Sequence, residues 1–466
     1  MQKWLLVMGL VAFPLGDTTS SRVTYAPNWE SLDKRPLPEW YDNAKVGIFI
    51  HWGVFSVPSY VNEWFWWIWK GPLPDPRVWL YMKKYYQDGF AYPDFASQFR
   101  NEFFDPAHWA RVLNASGAGY VVVTAKHHEG YCNWPSSTSW NWNSVEVGPN
   151  IDLIGELAKV IRANTTLRFG VYHSLFEWFN PLYVADKSLG YKRQDFVNTK
   201  TMPELYDLVN KYKPSIVWSD GADQATSDYW KAKEFLAWLY NESPVRDEVV
   251  VNDRWGLDAA CAHGDFLNCN DGFRPDKVVP RKWECCTTID KHSWGYRRDA
   301  NLADHISVQT LIETLVDVVS LGGNLLLNIG PTAWGTIDPI FEERLLSMGL
   351  WLRINGEAIY NTDVWTAQRD PLRKKLWYTR RKSDTSTVYA LFADWPLGTN
   401  KTLTLPAVKA FPGSIFTLLD GSTGTRLTFT IDGTQGAPNL ELPAEQPPNS
   451  FAVWTVRMQN VTANSN

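Results

Sequence analysis

The sequence predicts an α/β fold: a TIM-like (β/α) barrel, regular or distorted, followed by a C-terminal antiparallel β-sandwich. Three observations carry that expectation. Apolar runs without polar interruption recur along the first three quarters of the chain, each ending in polar or aromatic residues. Segments of helical periodicity separate them, and that alternation implies a parallel sheet buried on both faces. After about residue 358 the rhythm changes to short alternating runs divided by turn residues, the pattern of antiparallel strands. With 466 residues, 45% of them hydrophobic and 20% charged, the chain can build a large core.

In chain order, residues 1–21 read as a secretory signal. Lys3 supplies the charge, Trp4 to Leu15 the apolar stretch, and Gly16 to Ser21 a small, polar cleavage region. No apolar run reaches about 18 residues, the length a membrane span needs. The catalytic barrel is expected over 22–357. Its strands are "KVGIFIHWG" (45–53), "GYVVVTAKHHEGY" (119–131), "RFGVYHS" (168–174), "SIVWSDG" (215–221), "EVVVNDRWG" (248–256), "RKWECCTTID" (281–290) and "GGNLLLNIGP" (322–331). Helices are expected over 151–163, 203–212, 228–240, 304–320 and 338–353. The sandwich is expected over 358–466, with strands in "KLWYTRR", "TVYALFADW", "KTLTLP", "GSIFTLL", "RLTFTI", "LELP" and "FAVWTV". The sandwich holds no concentrated set of ionisable residues, so a support or sugar-binding role fits it better than a second active site.

Composition narrows the chemistry. The net charge is −5 with no basic block, which argues against nucleic acid as a partner. The 26 Trp are far more than an ordinary chain carries. Trp offers a flat, weakly polar face and one N–H donor, a match for the C–H face and hydroxyls of a sugar; most of them nonetheless fill cores. Five N-x-S/T sequons, at Asn114, Asn164, Asn241, Asn400 and Asn460, agree with passage through the secretory pathway. Of the five cysteines, Cys261 and Cys269 are close enough to close a small loop. The odd count leaves at least one free thiol or an intermolecular bond.

In a (β/α) barrel the strand C-termini converge on one mouth. Here that mouth gathers His51, Glu63, His127, His128, Asp220, Asp253, Arg254, Asp271 and Glu284, with Trp or Tyr beside nearly all of them. Paired acids among aromatics suit glycoside hydrolysis: one carboxylate attacks the anomeric carbon or activates water, another acid protonates the leaving oxygen. A metal-dependent hydrolase built on His51, His127, His128 and Asp220 is the competing reading. Against it, adjacent His127 and His128 on a strand point to opposite faces, and share a site only if the strand breaks there.

"KVGIFIHWGVFSVPSYVNEWFWW", "AKHHEGYCNW", "IVWSDG", "VVVNDRWG", "KWECCTTIDKHSWGYRRD" and "GGNLLLNIGP" resemble the α-L-fucosidases of glycoside hydrolase family 29, most closely the animal tissue or lysosomal type. The resemblance runs in order from about residue 23 into the sandwich. It implies a retaining exo-glycosidase, with no cofactor and no metal, that releases terminal α-L-fucose from glycoproteins, glycolipids or oligosaccharides. It implies Asp220 as the nucleophile. His51, Glu63, Trp64, His127, His128, Tyr172, Trp218 and Arg254 fall where the family lines its fucose pocket, and Trp294 where an aromatic meets the sugar's methyl. Two residues compete for the acid/base role, Asp271 preferred and Glu284 the alternative, and Cys286 falls beside the catalytic region. The resemblance further implies fucosylated glycans as partners, a homo-oligomer (tetramers are common among relatives), and a lysosomal or secreted protein. A catalytically inactive, lectin-like fucose binder is the remaining alternative.

Overall fold

The computed structural model describes residues 23–396, 401–431, 436–448 and 450–464. The signal segment 1–21 and the sequon residue Asn400 lie outside the described residues.

Seven parallel strands form the central sheet: β1 (Val46–Ile50), β2 (Tyr120–Lys126), β3 (Arg168–Ser174), β4 (Ile216–Asp220), β5 (Val250–Val251), β6 (Glu284–Thr288) and β7 (Asn324–Ile329), in the order β5-β4-β3-β2-β1-β7-β6. β1, β2 and β7 are buried along their whole length, as the uninterrupted apolar runs require. Helices cross between the strands. Leu153–Asn164 links β2 to β3, Met202–Tyr212 leads into β4, and Val308–Ser320 links β6 to β7. Leu153–Asn164 buries Leu153, Ile154, Leu157, Ala158 and Ile161, one face at helical spacing, and Asp152 caps it by accepting from Gly155 N at 2.8 Å.

The helices depart from expectation where local chemistry intervenes. The run expected over 228–240 is two helices, Ser227–Trp230 and Ala232–Asn241, because Lys231 adopts φ 52° between them. The run expected over 304–320 starts at Val308, since Ser307 caps it there.

No helix joins β5 to β6. The connection instead sends one irregular stave up the gap between them. Asp265 N donates to Val251 O (3.0 Å) on one side. On the other, Leu267 N donates to Lys282 O and Glu284 N to Leu267 O, both at 2.8 Å. Phe266 points inward and joins Tyr41, Phe49, Tyr120, Trp218, Cys286 and Leu326 in the barrel's interior cluster. The barrel therefore closes through this segment rather than through a strand–strand ladder.

From Thr362 onward the chain is antiparallel. A six-stranded sheet and a three-stranded sheet enclose a core around Trp365, Tyr378, Phe416 and Met458. This unit is joined to the barrel. Trp377 Nε1 donates to Asp317 Oδ1 (2.9 Å), and Trp351 Nε1 of the helix Pro339–Asn355 donates to Val453 O (2.7 Å). Trp377, Tyr389, Leu391 and Val453 belong to the same apolar cluster as β1, β2 and β7.

Candidate active site

A cavity of about 230 Å³ opens at the C-terminal ends of the strands. His51, Glu63, Trp64, His127, His128, Tyr172, Trp218, Asp220, Arg254, Asp271 and Trp294 all line it. Phe49, Phe176, Asp223 and Gln224 line it as well, and the sequence reading did not single them out. Phe49 was legible: it lies on β1 two residues before His51, which continues the extended chain just past the strand's end, and so shares its face.

Asp220 ends β4. Its Oδ2 accepts from Tyr172 Oη (2.8 Å) and its Oδ1 from Arg254 Nη1 (3.1 Å), while His128 Nε2 stands 3.5 Å from Oδ2. Burial acts to raise its pKa. The Arg254 charge and the hydrogen bonds from Tyr172 and Arg254 outweigh that and hold the carboxyl well below its usual range. Arg254 then reaches the rim: Nη2 donates to Asp271 Oδ1 at 2.6 Å, so one guanidinium holds both acids. Its carbon sits 4.7 Å from the centre of the Trp218 ring, a cation–π contact. Asp271 is about half exposed (54%) against 21% for Asp220, which puts one carboxylate at the mouth and the other on the floor.

His51 and His128 are neutral and fixed in tautomer. Asn328 on β7 spends its amide hydrogens on Thr288 Oγ1 and Trp294 O, so its Oδ1 accepts from His51 Nδ1 (2.8 Å). Ser174 donates to Phe176 O and accepts from His128 Nδ1 (2.6 Å). Burial first, and the neighbouring His127 second, lower His51 to about 3 and push His128 well below its ordinary value. Nε2 of each ring is then a lone-pair acceptor for a ligand hydroxyl.

His127 and His128 both face the cavity, with ring centres 4.3 Å apart. The opposite-face expectation fails because β2 ends at Lys126. Its register slips between Thr124 and Lys126, and the chain then turns, Gly130 N donating to His127 O with Gly130 at φ 86°. Beneath the turn, buried Lys126 pairs with Glu204 (2.7 Å) and Glu177 (3.0 Å). Glu63 is held from the opposite wall, Oε2 accepting from Ser293 Oγ and Trp294 N at 2.9 Å each.

Two residues assigned to the mouth, Glu284 and Asp253, lie elsewhere, whereas Cys286 does stand beside the catalytic region. Glu284 is the first residue of β6, not its end, so it lies four residues, roughly 13 Å of strand, below Thr288. It is fully buried and accepts from Tyr41 Oη and Tyr120 Oη (2.7 Å each) and Trp218 Nε1 (3.0 Å). Burial raises its pKa against those donors. Asp253 is buried behind Arg254, its Oδ2 accepting from Cys261 N and Cys269 N at 2.9 Å each. Cys286 lies under the wall, 3.6 Å from Arg254 Nη2 and 3.8 Å from Asp271 Oδ1, and burial pushes its thiol far up. Cys261 and Cys269 form a disulfide; Cys132, Cys285 and Cys286 are free and buried. Of the described sequon residues, Asn114, Asn164 and Asn460 are exposed, while Asn241 is half-buried and exchanges two hydrogen bonds with the Tyr25 backbone.

The family profile described as alpha-L-fucosidase matches residues 14–357, and that described as alpha-L-fucosidase C-terminal domain matches 368–459. The chain is 52% identical over 440 residues to tissue alpha-L-fucosidase of Rattus norvegicus, covering 94% of this chain and 93% of that protein. It is 49% identical to plasma alpha-L-fucosidase of Homo sapiens, covering 95% and 94%. Among solved structures, the Thermotoga maritima alpha-fucosidase in complex with a mechanism-based inhibitor superposes with a TM-score of 0.78 at 33% identity, over 94% of this chain and 100% of that one. A trapped covalent intermediate of a GH29 alpha-L-fucosidase from Bacteroides thetaiotaomicron, with 2-fluoro-fucosyl fluoride, superposes at 0.72 with 25% identity, over 90% and 95%.

Proposed function

The chain belongs to the α-L-fucosidase family, and from that premise we propose how its own residues carry out the reaction. It is a retaining glycoside hydrolase that releases terminal α-L-fucose; the relatives lend no support to a lectin-like or a metal-dependent reading. In our reading Asp220 is the nucleophile and Asp271 the acid/base.

The observation that carries this assignment is the shared guanidinium: Arg254 holds Asp220 on the floor and Asp271 at the rim of one cavity. Asp220, kept ionised by its neighbours, attacks the anomeric carbon. The bond to the leaving oxygen breaks as an ester to Asp220 forms; Asp271, which takes a proton from solvent at the rim once Arg254 turns its donors to the sugar, passes that proton to the leaving oxygen. Water then adds to the anomeric carbon, gives its proton to Asp271, and releases the Asp220 carboxylate. His51, Glu63, His127, His128 and Arg254 hold the sugar hydroxyls. Phe49, Trp294 and Trp64 supply the apolar surface that a 6-deoxy sugar's methyl requires. Glu284 takes no proton in this scheme. It fixes the Trp218 indole on which Arg254 rests.

We further assign 22–357 to the catalytic domain and 358–466 to the sandwich. We assign 1–21 to a signal directing the protein to a lysosomal or secreted fate, in keeping with tissue and plasma relatives.

Labelling with 2-fluoro-fucosyl fluoride, digestion and peptide mass spectrometry tests the nucleophile. The adduct is expected on the peptide containing Asp220, and an adduct on any other peptide refutes it. For the acid/base, azide is expected to restore turnover to Asp271→Gly and not to Glu284→Gly. The reverse pattern would move the role to Glu284.

A further inference from the structure

Asp253 takes no part in the scheme above, yet it is a fully buried carboxylate next to Arg254 in sequence. Its oxygen Oδ2 accepts the backbone N–H of Cys261 and that of Cys269, 2.9 Å each. Those two residues are the ends of the disulfide loop, with Cα atoms 4.4 Å apart. The carboxylate and the disulfide therefore close the same short loop from two sides. Asp271 follows Cys269 by two residues. Immediately before the loop's end runs the irregular stave that seals the barrel, itself anchored by Asp265, whose Oδ2 accepts from Val251 N (2.9 Å) while Oδ1 pairs with Arg35 (3.1 Å). Just after Asp271, Gly272 N donates to Cys286 O (2.8 Å).

We propose that the Asp253 carboxylate and the Cys261–Cys269 disulfide are positioning residues for proton transfer, fixing the chain on which Asp271 meets Arg254 at the pocket mouth. The inference rests on the acid/base role given to Asp271. The physical reason is entropic and geometric. Asp271 is half exposed and stands on a connection without helix or strand, so nothing in regular secondary structure orients it. A general acid must stay within hydrogen-bond reach of the leaving oxygen, and a loosened loop spends much of its time out of reach. Asp220, by contrast, ends β4 and is held by Tyr172, so slackening the 257–271 loop leaves the nucleophile's attachment to β4 in place.

The test exploits the leaving group. An aryl fucoside such as 4-nitrophenyl α-L-fucoside departs with little proton help, whereas a fucosyl disaccharide needs the acid. Asp253→Ala and Cys261→Ser/Cys269→Ser are each expected to lower kcat/KM on the disaccharide by about 10²-fold, and on the aryl fucoside by less than about 3-fold. Asp253→Asn, which keeps an acceptor oxygen of the same reach, is expected to recover most of the disaccharide activity. Should a variant fail to fold, the wild-type enzyme serves. Cys261 is exposed and the three free cysteines are buried, so mild phosphine reduction opens this disulfide alone and should produce the same selective loss, reversed on reoxidation. Equal losses on both substrates, or no loss on either, overturn the proposal. Asp271→Gly is the reference. If that variant itself shows no selectivity for leaving group, the acid/base assignment has failed, and the proposal falls with its premise.

Discussion

At the scale of single residues, the site is governed by which groups are refused a proton and which are refused a charge. His51 in the pocket is held at about 3, and His173 on β3, beneath the site with Nε2 3.1 Å from Glu204, at about 4, both chiefly by burial, against an ordinary value of 6.5. The sign follows from linkage. Below pH 6.5 the unfolded chain takes up a proton that each buried ring declines, so folding stability falls as the pH drops, by about 1.4 kcal/mol per pH unit per histidine, until the folded pKa is reached. Depressed carboxylates such as Asp220 and Glu204 push the same way, but only once the pH nears their unfolded values close to 4. Glu284, raised by burial, pushes the other way. A difference measurement isolates one group. Urea unfolding without ligand is expected to give His51→Gln a stability profile flatter than wild type by about 1.4 kcal/mol per pH unit between pH 6.5 and 4. Parallel profiles would show that His51 is not excluded from protonation in the fold. Much at this scale was readable from residue type and position: Asp220, His51 and Tyr172 are polar residues at or near the ends of apolar strands. Glu284 was misread because a strand motif shows which residues it contains, not the level at which pairing sets them. Its partner Asn324 on β7 puts it at the bottom.

Elements owe their placement to close approaches that a side-chain pattern does not display. Gly47 on β1 faces Tyr120 on β2, and a Cβ built there would lie 2.1 Å from Cε2 of the tyrosine ring. Tyr120 is itself fully buried and donates to Glu284. Gly47→Ala is therefore expected to drive the ring off that carboxylate and cost about 1–3 kcal/mol, read as a lower urea midpoint with an unchanged slope. A midpoint equal to wild type would mean the ring gives way freely. Helix starts were more legible than the sequence reading took them to be. Pro76–Tyr85, Pro106–Ala115 and Pro181–Ser188 each begin Asp-Pro or Asn-Pro, and each cap accepts from the first-turn backbone. The 252–283 connection gave no such signal. Its stave has no apolar run, since its hydrogen bonds come from irregular pairing on both sides.

For the molecule as a whole, the decisive fact is that barrel and sandwich share apolar surface. Trp377, Tyr389, Leu391 and Val453 pack into the cluster that contains the barrel strands. Arg369 and Trp377 both fasten to Asp317 on the Val308–Ser320 helix. Two units joined this way should unfold together. Calorimetry is expected to give one transition, and a chain ending at residue 357 to be insoluble when expressed. Two resolved transitions, or a soluble active barrel, would show the interface to be dispensable. Sequence by itself determined the alternation of strands and helices, the change of rhythm near residue 358, and the mouth residues at strand ends such as His51, Tyr172 and Asp220, because each is written in local periodicity and in strand-end position; Trp64, Trp218 and Trp294 came from the family resemblance instead. Tertiary structure alone decided that Glu284 lies under the site, that His127 and His128 share it, and that an irregular stave pinned by Asp253 and a disulfide brings Asp271 to Arg254. Those outcomes depend on register, on a bulge, and on hydrogen bonds between residues far apart in the chain, none of which leaves a periodic trace.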